Sequence, residues 1–579
     1  MPSAFQRYLP FAASTTPTQA ATYLLGISLF SISFLVFLNS SVSFVITDLI
    51  GQKKNVGDVV GTLGFADEIV ALVACPAWGL VSDRLGVRWV AAIGYLIVGL
   101  SLVVFVQATN VYPQLLLARV LFALGASATA TMVTAILPSL TDEDEELRNS
   151  ALERARAARN SRSSARLSAA YSVESEATIT PEVYSRSLSS EGRPVSAGVD
   201  PQGRSGKSSV LAGYVGLFTG CGALLALSCF LPLPAKFGEI DKVTPGEAVS
   251  YSYYVVGAVA LLVAVFVFFG LRDIQGEEGK GWRLLLGFKG PSSDGYAHSG
   301  RANKVIPYLH LMMDSILLGF TDSRIALGYL GGFVARASTV AISLFIPLYI
   351  NTFFIGNGFC QGSPNDPSPE LKKECRQAYV LSSILTGVAQ LMGLICAPVF
   401  GYLSRHPGRV NFPVVVATVF GIVGYVIFPR LPSPEIGDVD GRGGSPAIFL
   451  VVSLLGISQI GSIVCSLGSL GKGILAVEIP RNARRQHFIA PDEDESGESE
   501  PLIRIATEEE FVSRLRLKGS IAGVYSLCGG AAILLLTKLG GLLFDKVSKG
   551  TPFYMMAGFN AGLLLATLFV DASQTFSRR

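Results

Sequence analysis

The chain has 579 residues, half of them apolar and 15% charged, with a mean hydropathy of +0.48, a balance that excludes a water-soluble globule and reads as an integral membrane protein. Its 46 Lys and Arg against 43 Asp and Glu give a formal charge of +3 with no dense basic stripe between the apolar segments, which argues against a nucleic-acid partner. The four histidines, His298, His310, His406 and His487, all fall in hydrophilic stretches, so neither an intramembrane metal site nor any cofactor is expected.

A bilayer core about 30 Å thick takes roughly 20 mostly apolar residues per helix. Twelve such runs follow one another at 22–47, 59–81, 89–107, 112–139, 209–231, 252–271, 325–350, 378–400, 411–429, 446–470, 519–543 and 552–571. The first is too long for a signal-peptide core and has no convincing cleavage site after it, so it reads as a retained helix behind a polar leader, residues 1–21. A polar stretch at 272–324 divides the runs into an N-terminal set, 22–271, and a C-terminal set, 325–571, ahead of a short tail, 572–579. Two more polar segments, 140–208 and 471–518, follow the fourth and tenth runs, equivalent places in the two halves. The first is rich in Ser, Arg, Glu and Ala with few aromatics, a composition that predicts disorder. Lys and Arg concentrate on the side that carries residue 1 and the long loops, which predicts that both termini are cytosolic.

The second run ends in Gly79, Leu80, Val81, Ser82, Asp83, Arg84, Leu85, Gly86, Val87, Arg88, the pattern GxxxDRxGxR. Gly79 permits close helix approach, Gly86 permits the turn, and Asp83 with Arg84 and Arg88 can form ion pairs or meet helix-end dipoles. In a chain of twelve spans this pattern resembles the signature of the major facilitator superfamily. The resemblance implies an all-α membrane protein with the major facilitator fold, 12 transmembrane helices as two six-helix bundles, and gives Asp83 the role of a charge-dipole latch that favours the outward-open state. A degraded copy follows the eighth run as Gly401, Tyr402, Leu403, Ser404, Arg405, His406, Pro407, Gly408, Arg409, with Arg405 in place of the acid. Aligning Gly401 with Gly79 sets Gln390 opposite Glu68, so the halves look like repeats. In the fourth run, Arg119 and Gly125 resemble part of the family's RxxQGxG motif, with Phe122 and Ala123 departing from it; the fifth, with Gly213, Gly216, Gly220 and Gly222, matches the antiporter motif only loosely and reads as close packing. The end of the eleventh run, Gly540 to Lys546, and the long loops resemble poorly characterised fungal facilitators of the vacuolar membrane.

Charges near the bilayer centre cost at least ~2.5–3.5 kcal/mol on insertion scales, so each needs a partner, a wet cavity or a function. Asp67 and Glu68 lie well inside the second run and point about 100° apart, so at most one faces a central cavity. Glu68 is favoured through its symmetry with Gln390, since a desolvated carboxyl is what proton coupling requires; a structural pair with Arg119 would weaken that reading. Arg336, near the middle of the seventh run, is the preferred substrate-side cation, and Gln390 and Gln459 are candidate hydrogen-bonding groups of the cavity.

Cys360 and Cys375 share a predicted outer loop, where an oxidising compartment allows a disulfide. Pro201 to Ser208 mimics a phosphate loop but lacks the first Gly and a preceding strand, so nucleotide binding is dismissed. Glu498, Leu502 and Ile503 resemble an acidic dileucine sorting signal, pointing to the vacuolar membrane with the plasma membrane as rival. Asn39 heads the sequon Asn39, Ser40, Ser41, too near the first helix to be modified. The expectation is a monomeric secondary active transporter, partnered by a small-molecule substrate, the lipid bilayer and protons, with sorting adaptors or kinases reading the loops, for example at Arg166, Leu167, Ser168. A uniporter and a non-transporting sensor or scaffold are the alternatives; no nucleophile and base pair supports an enzyme.

Overall fold

The computed structural model describes residues 10–12, 14–52, 56–141, 201–240, 243–274, 277, 280–286, 308–356, 376–405, 411–437, 443–475 and 517–577. The disulfide candidates Cys360 and Cys375, the sorting-signal residues Glu498, Leu502 and Ile503, the loop Ser at 168 and the segment expected to be disordered, apart from its two ends, lie outside them. Twelve described helices are long and apolar enough to span a membrane: α1 Pro17–Leu49, α2 Val59–Leu85, α3 Val87–Phe105, α4 Val111–Thr141, α5 Gly206–Gly238, α6 Pro245–Gly270, α7 Ser323–Gly356, α8 Val380–Leu403, α9 Phe412–Arg430, α10 Ala447–Ile474, α11 Lys518–Lys546 and α12 Thr551–Ser573.

Several helices overrun the apolar runs because their first turns are polar caps. At α1, Thr16 and Gln19 form a reciprocal capping box ahead of Pro17. At α6, Thr244 and Glu247 do the same, Glu247 accepting from the Thr244 N–H at 2.8 Å, with Pro245 at the first helical position. The polar stretch between the halves contains a further helix, Tyr308–Thr321. It is tied to α7 by the Tyr329 hydroxyl, which donates to the Ser315 carbonyl at 3.1 Å. The apparent phosphate loop is the opening of the helix Pro201–Leu225.

Among the described residues, the buried side chains fall into two cores of unequal extent. One runs through α1–α6 and continues into one end of the second bundle, through Ile325, Tyr329, Ala397, Phe400, Val464 and Leu470. The other is confined to the opposite end of α7–α12, around Phe345, Phe354, Leu385, Tyr425, Leu536 and Phe553. The bundles are therefore fused at the end that carries the chain near residue 12, whose Ala12 N–H meets the Leu140 carbonyl at 2.8 Å. Among the described residues, α1 and α7 share no packed face, so the cleft opens between them away from the fused end, while α2 and α11 still touch there through Lys538 over the Phe65 ring at 3.9 Å.

Glycine makes the fused end possible. A Cβ on Gly79 would meet the Gly519 carbonyl and lie 3.0 Å from the Gly523 Cα, and one on Gly213 would lie 2.9 Å from both the Ala397 carbonyl and the Gly401 Cα. Any larger residue at these points would separate α2 from α11, or α5 from α8.

Candidate functional site

Two groups of polar side chains stand out, one in the cleft and one at the fused end. In the cleft, Arg119 of α4 donates through Nε to Asp67 Oδ2 at 2.7 Å and through a second nitrogen to the same oxygen and to Asn39 of α1. The guanidinium is 3% exposed and the carboxylate 14%. Among the described residues, Asp67 Oδ1 and Arg119 Nη1 are buried without a partner, so the pair retains one acceptor and one donor.

One residue further along α2 the helix has turned, and Glu68 leaves this pair. It is half-buried, with no hydrogen bond or ion pair among the described residues, and lies within electrostatic reach of Arg336 as well as of Asp67 and Arg119. Arg336 of α7 is exposed, likewise without a hydrogen bond or ion pair among the described residues. Its stem lies across α11, where a Cβ on Gly529 would sit 2.7 Å from the Arg336 Cγ. One turn along α7, the Thr339 hydroxyl accepts from Gln459 of α10 at 3.0 Å, and Gln459 Oε1 accepts from Gln390 of α8 at 3.5 Å. Gln459 is 6% exposed and acts as a bridge, whereas Gln390 is exposed.

Of the two acids, Asp67 thus takes the structural pair with Arg119 and Glu68 does not. The residue that the sequence reading missed here is Asn39, noticed only as the head of a sequon. Its being the single amide of the run 22–47 was the available signal.

At the fused end, Asp83 is 8% exposed and caps α11. Its oxygens accept from the backbone N–H groups of Gly519 and Ser520, each at 2.7 Å, and from the Ser520 hydroxyl. These are orphan donors of a helix N-terminus, where the dipole favours negative charge. Of the two options open to Asp83 in the sequence, the structure uses the helix end; among the described residues no ion pair joins it to Arg84 or Arg88. The Arg84 guanidinium lies 3.5 Å from the centre of the Tyr308 ring, and Arg88 donates through Nε to the Phe268 carbonyl at 2.6 Å. Gly86 adopts φ +100° and hands the chain directly from α2 to α3.

A second cross-bundle contact was not anticipated. Lys518, fully buried at the start of α11, pairs with Glu277 at 2.6 Å and donates to the Ser139 hydroxyl of α4 at 2.5 Å. Glu277 also accepts from Lys280 at 3.0 Å and from the Val87 N–H at 2.7 Å. Burial is the largest influence on the Glu277 carboxyl and raises its pKa, yet Lys518 and Lys280 together outweigh it and hold the group below its ordinary value. In the second repeat no carboxylate occupies the matching position. The Arg405 stem packs against Gly206, and Lys472 donates to the Ser404 carbonyl at 2.8 Å, satisfying the end of α8.

A sequence model of the Major Facilitator Superfamily matches residues 29–155, the stretch that contains Asp67, the GxxxDRxGxR pattern and Arg119. No curated protein matches the chain. Among solved structures, the chain is similar to a major facilitator transporter, FucP, in the outward conformation, with 12% identity, a TM-score of 0.53 and coverage of 95% of this chain and 99% of the other. It is also similar to the human organic anion transporter MFSD10, with 14% identity, a TM-score of 0.50 and coverage of 96% and 100%. At such identities the likeness speaks for the fold, and together with the twelve helices in two bundles it identifies this chain as an all-α membrane protein with the major facilitator fold.

Proposed function

We propose that the protein is a secondary active transporter that carries a small molecule across a membrane by alternating access, coupled to protons through Glu68. The observation that carries this reading is the asymmetry of the cleft: it is closed at one end by contacts between the bundles, parted at the other between α1 and α7, and lined at mid-depth by polar groups from both. In such a fold, transport is a rocking of one bundle against the other around a central site. Asp83 on the α11 N-terminus is the latch of the present state, with the fused end cytosolic. Glu68 lies within electrostatic reach of Asp67, Arg119 and Arg336, and among the described residues it alone of the two acids retains a carboxylate outside an ion pair. The resemblance noted in the sequence and the acidic dileucine pattern favour the vacuolar membrane. The protein acts without enzymatic chemistry.

The test uses proteoliposomes and a ligand found by thermal shift, since saturation at about 100 times Kd stabilises by ~2.7 kcal/mol. An imposed pH gradient is expected to accelerate uptake by wild type. Glu68→Gln is expected to retain its ligand-free melting temperature while losing the response to the gradient. Undiminished gradient-driven uptake in that variant removes Glu68 from the mechanism, and wild-type uptake that ignores the gradient makes the protein a uniporter.

A further inference from the structure

Four charged residues, two of each sign, meet at mid-depth, and only two are consumed by each other. Asp67 and Arg119 pair within the first bundle. Glu68 and Arg336 stand on opposite bundles without a hydrogen bond or ion pair among the described residues, flanking α11 at the Gly529–Gly530 step. A Cβ on Gly529 would press on the Arg336 stem at 2.7 Å, and one on Gly530 would touch Leu72 at 3.6 Å, Leu72 being one turn along α2 from Glu68. The absent side chain of Gly529 leaves room for the Arg336 stem beside the cleft.

We propose that the ligand of the central cavity is a small zwitterion of the free amino-acid type, its carboxylate held by Arg336 and its ammonium by Glu68. This rests on the transport reading for the site's purpose, and on the charge arrangement for the ligand's class. When the bundles close, water leaves the cleft and every uncompensated charge becomes costly. A ligand of one sign would neutralise one of the two groups and strand the other. A neutral polyol would neutralise neither, leaving the two groups only each other across the closing cleft. A zwitterion satisfies both at once and, because the groups belong to different bundles, it draws α2 and α7 together as it binds. The planar guanidinium suits bidentate capture of a carboxylate. Asn39 and Gln390, both exposed, add amide groups at the margins.

The test is equilibrium binding to the purified full chain, read by melting temperature with the twenty free L-amino acids, β-alanine and γ-aminobutyrate, whose charges are spaced progressively wider. At least one is expected to stabilise the protein, while its amide, a cation only, and its N-acetyl derivative, an anion only, bind at least about tenfold more weakly. Arg336→Gln and Glu68→Gln are each expected to lose the response, and Arg336→Lys to retain part of it. Gly529→Ala, which leaves both charges in place and displaces the Arg336 stem, is expected to weaken binding and guards against a charge variant that fails to fold. The proposal is overturned if none of these zwitterions stabilises the protein, if the singly charged derivatives match the parent, or if the two charge variants bind the parent like wild type. A zwitterion that binds as predicted but is not moved in proteoliposomes sinks the transport reading and leaves the ligand class standing.

Discussion

The α2/α11 seam and the α5/α8 seam occupy equivalent places in the two repeats, yet different physics closes them. At α2/α11, close glycine contacts are supplemented by charge: Asp83 on the α11 N-terminus and Lys518 on Glu277, all well buried. At α5/α8, Gly213 meets Gly401 backbone to backbone, and the position matching Asp83 is Arg405. The difference teaches that a duplicated fold need keep only one electrostatic latch. Packing falls off smoothly as helices part, whereas a buried carboxylate that loses its donors pays its desolvation at once, giving one seam a sharp threshold for opening.

The largest expected effect breaks the charged seam. Lys518→Met strands Glu277 against Lys280 alone and is expected to cost about 3 kcal/mol, the lower end for a broken buried pair, whereas the double variant with Glu277→Gln recovers most of it. Thermal denaturation of the four proteins in a double-mutant cycle measures this. Asp83→Asn, which cannot accept equally through two charged oxygens, is expected to cost ~1.5–3 kcal/mol of the closed end and to increase labelling of cysteines introduced along the seam. Gly213→Ala probes the other seam by overpacking, at about 1–3 kcal/mol, with a penalty that is unchanged between low and high salt in the same denaturation assay.

Acid should separate the seams further. Glu277 is held below its ordinary carboxyl value, so its contribution is present above the unfolded pKa of about 4.3 and is lost as pH falls through the lower folded value. Spin-label distances across α2/α11 are therefore expected to lengthen in that acid window in wild type, and to lose this component in Glu277→Gln, while distances across α5/α8 stay fixed. The smallest effect is Ser520→Ala, which removes one of three bonds to Asp83 and is expected to cost ~0.5–1.5 kcal/mol by denaturation.

The spans were legible because each is an apolar run that must satisfy its backbone internally in lipid. Their polar ends were not, since Thr16 or Thr244 looks like loop until its cap is seen. Asp83 announced itself through its motif, but its partners lie 436 and 437 residues away, and nothing local to residue 83 names Gly519 or Ser520. Lys518 and Glu277 sat in polar stretches where a single charge carries no signal; only the helix packing brings them together. Asp67 and Glu68 were visible as a pair, while the choice between them depended on the helical phase that turns Asp67 toward Arg119.

The latch at α2/α11 holds the cleft open at its far end. It is tested most directly by electron-spin distances between labels at Asp48 and Gly356, exposed positions at the open ends of α1 and α7, in reconstituted protein whose native cysteines have been replaced. Wild type is expected to give a long distance, and Asp83→Asn a population shifted to short distances as the far end closes. A distribution unchanged by Asp83→Asn would show that Asp83 does not hold the far end open.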